Sequence, residues 1–500
     1  MRVLIRADAS SAIGSGHVAR CLTLAKVLRK HGAQVTFACR QLPGHLLHHL
    51  TEQGFVAHAL PADDPQEQSD ADIEALLPWQ ADIAALGEVL KDAPRFDWLI
   101  VDHYGLDARW ESAARQFAEH LMAIDDLANR PHAVDLLLDQ NYAAQVQDNP
   151  YARWLDNHCK IFLGPRFALL RDEFQSQPID IKPRVEQVLV NFGGYDAARQ
   201  VYATLLALQG LDDVQVDFVA GLNHPDWEVM SERIKACPNW RLHSLSSDFY
   251  SLMQRADLFI GAGGGTTWER AALGLPTICI SVAANQQLNA QLLARAGVHL
   301  YLGAHQTLDP QRLVQAIGLL RENRELRQSF AERGRALVDG QGAYRLAAAM
   351  MAPTLQLRQA GKQDMALLFE GRNAAHVRRW AFDPELIDWD SHVSWFQLSL
   401  GNAQRLMLIG ETAQGPIGVV RYDRDGECVE ISIYLCEGQT GIGWGPALLS
   451  SGERFLRRHW PEVRCIQARV LAGNEVSTTL FLKAGYTQSD RHFQRVISDE

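Results

Sequence analysis

The sequence predicts two α/β domains with parallel sheets in tandem, followed by a smaller antiparallel α+β domain. Three observations carry this. Over residues 1–160, the short apolar runs "RVLIRAD", "QVTFACR", "DWLIVDHY", "LMAIDDL" and "VDLLLDQN" each end in polar residues. They alternate with helical patterns such as 18–31 and 106–120, the rhythm of βαβ units on a parallel sheet. Near residue 183 the rhythm restarts with "QVLVNFGG", "VQVDFVAG", "WRLHSLS", "ADLFIGAGG" and "PTICISV". Around residue 350 periodicity lapses, and "RLMLIGETAQGPIGVVRYDRDGECVEISIYL" then places turn residues between strands like a set of hairpins. The expected boundaries are 1–175, 176–350, a linker over 351–364, and 365–500. A chain of 500 residues is too long for one core.

Composition narrows the function. Hydrophobic residues at 47% and charged ones at 21% are ordinary for globular protein. A net charge of -11 argues against nucleic acid or an anionic membrane as partner and leaves a small-molecule substrate. No apolar run reaches the roughly 20 residues that span a bilayer, and the first residues carry charge instead of a secretory apolar region. The 8 cysteines form no C-x-x-C pair, so neither a metal nor a disulfide framework is expected, and a reduced cytoplasmic setting is.

In parallel sheets ligands bind outside the carboxyl ends of the strands. Asp8, Asp102, His103, Tyr104, Asp125, Asp126 and Asn141 fall at or just past those ends. The octet "IGSGHVAR" (13–20) joins the first strand to a helix. Gly14 and Gly16 permit a tight turn and close ligand approach, and the helix N-terminus suits an anion. His17 there reads as a base, a phosphate-loop residue or a turn filler. The helix dipole disfavours an imidazolium at that place. A second run, "GAGGGTTWERAALGLPTI" (261–278), offers the amides of Gly263 and Gly264, the hydroxyls of Thr266 and Thr267, and Glu269 one turn into a helix. These suit a diphosphate and ribose hydroxyls, or alternatively a plain turn with a solvated acid. "NFGG" adds Gly193 and Gly194. "ANQQLNA" adds Asn285 and Gln286, amides able to read polar edges or merely start a helix.

Together "RADASSAIGSGHVARCLTLA", "VDHYGLD", "AIDDLANRPHAVDLLLDQN", "GPRFALLRDEF", "NFGGYD", "GAGGGTTWERAALGLPTI" and "ANQQLNA" resemble, in order over residues 1 to about 350, the UDP-sugar hydrolases of pseudaminic-acid biosynthesis. The resemblance implies two Rossmann-like domains in a GT-B arrangement, related to the glycosyltransferase that makes lipid II. It implies hydrolysis of UDP-2,4-diacetamido-2,4,6-trideoxy-β-L-altropyranose at the anomeric C–O bond, with inversion. Carried over, the water-activating base falls on His17, a substrate-site tyrosine on Tyr104 and an asparagine on Asn285. Gly14, Gly16, Gly193, Gly194, Gly263, Gly264, Thr266, Thr267, Glu269 and Gln286 would surround UDP. A glycosyltransferase, with an acceptor in place of water, is the alternative. A non-catalytic nucleotide-sugar sensor is a third reading.

In the last domain "CEGQTGIGWGPALLSSGERFL" resembles the acetyl-CoA pyrophosphate loop of GNAT N-acetyltransferases, R/Q-x-x-G-x-G/A. Gln439, Gly441, Gly443 and Gly445 line it, although Thr440 takes the R/Q place. "NEVSTTLFLKAGY" (474–486) resembles the later GNAT block beginning at Asn474, with Phe481 where that family has its tyrosine general acid. Tyr486, Tyr434 or water would have to replace it. Glu430 reads as a solvated strand acid or as a base for the attacking amine. The resemblance implies acetyl-CoA as co-substrate, and pathway analogy suggests acetylation of the 4-amino group of the UDP-sugar before hydrolysis.

Overall fold

The computed structural model describes residues 1–11, 13–62, 78–175, 178–194, 196, 198–209, 211, 213–222, 224–244, 248–489 and 492–496. The chain divides into two compact units, Met1–Ala343 and Tyr344–Glu500.

The first unit holds two wholly parallel sheets. One contains β1 (Arg2–Ala7), β2 (Gln34–Arg40), β3 (Val56–Leu60), β4 (Phe96–Asp102), β5 (Ala118–Ile124), β6 (Leu136–Asp139) and β7 (Lys160–Leu163), in the order β3-β2-β1-β4-β5-β6-β7. The other contains β8 (Gln187–Asn191), β9 (Gln215–Ala220), β10 (Trp240–Ser244), β11 (Leu258–Gly261), β12 (Thr277–Ser281) and β13 (Leu300–Ala304), in the order β10-β9-β8-β11-β12-β13. The central strands are apolar runs because helices cover both faces. Leu4, Leu99, Leu121 and Leu137 share a core with Trp110, and Val188, Val190, Phe218, Ile260 and Ile278 share another. Strand order reverses between β1 and β4 and again between β8 and β11. These two switch points open the crevices in which such sheets bind ligands.

One difference from the sequence reading concerns the segment 106–120. Its helix is only Ala108–Ala114, started by the Asp107 side chain accepting from the Arg109 amide at 3.0 Å, and the chain enters β5 at Ala118. The helix Tyr142–Val146 leaves the carboxyl end of β6, and the helix Ala284–Arg295 leaves that of β12. The two helices touch, and the Ala143 amide donates to Asn289 Oδ1 at 3.2 Å. Their contact brings the carboxyl edges of both sheets to a common side.

The second unit has one mixed sheet, β14 (Gln356–Gln359), β15 (Arg405–Thr412), β16 (Gly415–Asp425), β17 (Cys428–Leu435), β18 (Cys465–Arg469), β19 (Thr487–Ser489) and β20 (His492–Val496), in the order β14-β15-β16-β17-β18-β20-β19. Only β17 and β18 run parallel, joined through the helix Trp444–His459. The segment 351–364 is therefore not a bare linker: Gln356–Gln359 pairs antiparallel with β15. This edge strand is half exposed and polar, because Arg358 reaches Asp364 at 2.7 Å and Glu411 at 3.1 Å.

Under the first switch point lies a closed polar network. Asp82 accepts from Arg6 at 2.7 Å, Arg40 at 3.0 Å and Trp110 Nε1 at 2.9 Å. Arg6 also donates to Asp8 at 2.6 Å, and the Arg40 amide to Asp8 at 2.7 Å. Removing one carboxylate leaves buried guanidinium groups without a counter-charge. Asp82→Ala is therefore expected to cost about 3–5 kcal/mol of unfolding free energy in denaturant titration. A loss under about 1 kcal/mol would show that this network does not hold the strand ends.

Candidate active site

The turn after β1 closes through Ser10, whose carbonyl accepts from the Gly14 amide at 2.8 Å. Gly14 stands at φ +79°, where a side chain would be strained. The helix Gly16–Lys30 follows and carries His17 and Arg20 on one face, three residues apart. Both meet Asp102 at the end of β4. His17 Nδ1 lies 2.6 Å from Asp102 Oδ1, and Arg20 donates twice at 2.6 Å, from Nε to Oδ2 and from Nη2 to Oδ1. Burial alone would raise the Asp102 carboxyl. Arg20 and His17 override it and hold the group well below the usual carboxylate range. An ionised Asp102 only accepts, so the His17 proton sits on Nδ1 and its Nε2 lone pair has no partner among the described residues.

Tyr104 meets His17 edge-on, with ring centroids 4.7 Å apart. Burial and the nearby Asp126 carboxylate push that hydroxyl up. Arg20 Nη1 also donates to Asp126, at 3.1 Å. His103 is a different case. Its Nδ1 accepts from the Gly105 amide at 2.9 Å and its Nε2 faces Asp8 at 3.4 Å, so both ring nitrogens are engaged. Asn285 stands exposed at the start of the helix Ala284–Arg295 with no side-chain bond among the described residues. Arg20 escaped the sequence reading, although its i+3 spacing from His17 was a usable signal.

At the second switch point the glycine-rich run bends from β11 into the helix Thr266–Leu273. The Thr267 and Trp268 amides close onto the Gly264 and Gly265 carbonyls. Among the described residues, the amides of Gly263, Gly264 and Gly265 meet no backbone acceptor. Gln286 Oε1 accepts from the Val282 amide at 3.1 Å, which leaves its Nε2 beside Gly264. Crowding around the Glu269 carboxyl pushes it up to about 7, against Arg171 and Arg270, although part of the residue surface is exposed. From "NFGG", the Gly193 amide is taken by Asn191 Oδ1 at 3.2 Å and the Gly194 carbonyl by the Gly221 amide at 3.1 Å. Gly14 and Gly193 thus offer no N–H to a diphosphate, whereas the loop 263–265 does.

In the second unit Gly443, at φ +100°, caps the helix Trp444–His459, as only glycine does easily. Gly441 stands at φ +79° and Gly445 packs on Leu480. Gln439 Oε1 and Trp444 Nε1 are buried without partners. The Asn474 oxygen caps the helix Glu475–Lys483, accepting from the Ser477 amide at 3.1 Å. The Tyr486 hydroxyl donates to Glu453 at 2.9 Å, Tyr434 packs on Gly371, and Glu430 pairs with Arg469 at 2.6 Å. Among the described residues no group of three or more His, Cys, Asp or Glu could hold a metal ion, and no helix is long and apolar enough to cross a membrane.

A proton relay supports the first crevice from behind. The Tyr151 hydroxyl lies 2.9 Å from Asp125 Oδ2 and 3.0 Å from Asp139 Oδ2. One hydroxyl proton cannot serve both. Asp125 is held ionised by His132 and Arg130 against its burial, so the tyrosine donates to it and Asp139 must donate to the tyrosine. Burial accordingly pushes the Asp139 carboxyl up to about 8. The native state then keeps a proton that the unfolded chain loses above about pH 4, and stability falls as pH rises from about 4 to about 8. Asp139→Asn imitates the protonated form. Its stability relative to wild type, from denaturant midpoints, is expected to grow across that window and level off above it. A difference constant over pH 4–8 would contradict a neutral Asp139.

Comparison with known proteins fits this geometry. The profile of the Glycosyltransferase family 28 C-terminal domain matches residues 197–340, the segment with the glycine-rich loop. The spore coat polysaccharide biosynthesis protein SpsG of Bacillus subtilis is 28% identical over 200 residues, 39% of this chain and 59% of that protein, less than two thirds of its length. The UDP-2,4-diacetamido-2,4,6-trideoxy-beta-L-altropyranose hydrolase of Campylobacter jejuni is 26% identical over 302 residues, 59% of this chain and 97% of that one. Among solved structures, the glycotransferase of kitacinnamycin aligns at a TM-score of 0.50 and 17% identity, over 70% of this chain and 98% of its own. A spermidine N-acetyltransferase of Vibrio cholerae aligns with 29% of this chain and 96% of its own, at 15% identity and a TM-score of 0.27. The first unit thus has a glycosyltransferase-like GT-B fold.

Proposed function

We propose that the first unit hydrolyses a UDP-sugar of the 2,4-diacetamido-2,4,6-trideoxy-β-L-altropyranose type at its anomeric carbon. The observation that carries this reading is the oriented His17, with Nδ1 on Asp102 and Nε2 open. Nε2 takes a proton from water as the water oxygen bonds to the anomeric carbon. The C–O bond to UDP breaks and the configuration inverts. UDP leaves with its electron pair, and the amides of Gly263, Gly264 and Gly265 stabilise the charge gathering on its phosphates. Glu269 and Gln286 are the proposed partners of ribose or uracil. Similarity to the Campylobacter hydrolase over 97% of its length supports this substrate class.

The second unit transfers an acetyl group from acetyl-CoA to the 4-amino group of the preceding UDP-sugar. The pairing of β17 with β18 ends at Ile431 and Ala468, after which β17 continues against β16 alone. The gap suits an amide-bearing arm such as that of CoA. The amides beside Gly443 and a groove of about 420 Å³ lined by Arg454, Arg457, Lys483 and Arg495 suit its phosphates. The sugar nitrogen bonds to the thioester carbonyl carbon and loses a proton to solvent, and the C–S bond breaks so that the thiolate leaves. With Phe481 buried and Tyr486 bonded to Glu453, solvent protonates the thiolate.

The chain, given the UDP-sugar with a free 4-amine and acetyl-CoA, is expected to release UDP and the diacetamido sugar. His17→Ala is expected to slow UDP release 10²- to 10⁴-fold while acetylation continues at the wild-type rate. Full UDP release by His17→Ala would remove the base. Release that requires an added sugar acceptor would favour a glycosyltransferase, and absence of acetylated product would remove the second activity.

A further inference from the structure

Arg270 follows Glu269 in the helix Thr266–Leu273 but turns inward, with 2% of its surface exposed. Its Nη2 donates to the Ala262 carbonyl at 3.0 Å and to Thr267 Oγ1 at 2.8 Å. Its Cζ lies 4.5 Å from the centre of the Phe259 ring. Nη1 is buried without a partner beside a cavity of about 10 Å³, room for one water at most. Other buried arginines in this unit have carboxylates: Arg6 has Asp8 and Asp82, Arg20 has Asp102, and Arg130 has Asp125. Arg327 has none but is surrounded by four carbonyls. Among the described residues Arg270 has no ion pair and one carbonyl. A buried charge so poorly compensated is costly unless something outside the fold offsets it.

Its placement says what that is. The described chain contains no cis peptide bond, and in a trans peptide the C=O and N–H point in opposite directions. The Ala262 carbonyl is drawn inward to Arg270, so the Gly263 N–H points outward, into the crevice. The positive charge lies one peptide plane behind the Gly263 amide. Burial lowers the guanidinium only to about 10, so it stays charged at neutral pH.

We propose that Arg270 is a positioning residue for a nucleoside diphosphate: it aims the Gly263 N–H at the phosphates and supplies the buried positive charge that they complement. This rests on the reading of the glycine-rich loop as the UDP site. Because Arg270 is buried, with its guanidinium on the Ala262 carbonyl, its contribution is expected at the phosphates and not at the base or ribose.

Calorimetry of UDP and of uridine with the full chain separates the possibilities. Arg270→Met is expected to weaken UDP about 10- to 100-fold and leave uridine unchanged. Arg270→Lys, which keeps the charge but not the two-pronged donor, is expected to weaken UDP less, again without affecting uridine. UDP is also expected to raise the melting temperature of wild type more than that of either variant. If the methionine variant does not fold, the lysine variant carries the test alone. Equal losses for UDP and uridine, or unchanged UDP affinity, would overturn the proposal and leave Arg270 a packing residue. Wild type that binds uridine but gains nothing from the diphosphate would overturn the reading of the loop itself, and the proposal with it.

Discussion

One carboxylate, Asp102, orders the first crevice. It stands at the last position of β4, in register with Ala7 of β1, so parallel pairing of the central strands delivers it to the helix that starts at Gly16. There it accepts from His17 and twice from Arg20. The shared arrangement has a chemical consequence. Arg20 shares the Asp102 carboxylate with His17, and the carboxylate orients the imidazole and selects its tautomer. Arg20 in turn reaches Asp126, whose charge lies close enough to raise the Tyr104 hydroxyl. The ring edge of Tyr104 meets His17. His17, Arg20 and Asp102 are thus held by one another, as a preorganised site requires.

The two halves of the first unit use the same device, a buried charge behind a backbone loop, with opposite compensation. Behind the first loop the guanidinium groups of Arg6 and Arg40 close onto Asp8 and Asp82, and the balance is internal. Behind the second, Arg270 finds a carbonyl and a hydroxyl. One crevice then presents an oriented imidazole and the other a buried guanidinium with no carboxylate partner among the described residues. That division suits water beside the sugar and phosphates beside the glycines. The contact between Ala143 and Asn289 joins the helices that leave the two carboxyl edges, so the division lies along one side of the unit.

How much of this was legible in sequence depended on burial. The central strands, buried on both faces, announce themselves as apolar runs. β3, β7 and β13 do not, because each is an edge or near-edge strand with half-exposed residues such as Val56, Ile161 and Tyr301, and β14 looked like a linker for the same reason. His17, the glycine-rich loop and Gln286 could be named because each lies in a block just past a strand end that the family resemblance covers. Arg270 could not, because a charged residue within a helix reads as solvated until the fold turns it inward, and Arg20 had only its spacing from His17 to mark it. The glycines divided similarly. Gly14 and Gly193 resemble phosphate-loop residues in sequence, yet their amides are closed by Ser10 and Asn191, a matter of local geometry that spacing does not encode.

The account joins an oriented base, a charged diphosphate loop and water as nucleophile at carbon. Its most direct measurement is turnover of the diacetamido UDP-sugar in water enriched in oxygen-18, with mass analysis of the UDP released early in the reaction. Attack at the anomeric carbon predicts UDP with no heavy oxygen and the label in the sugar. Heavy oxygen on the β-phosphate of UDP would mean that water attacks phosphorus, and would contradict the placement of the reacting carbon before His17.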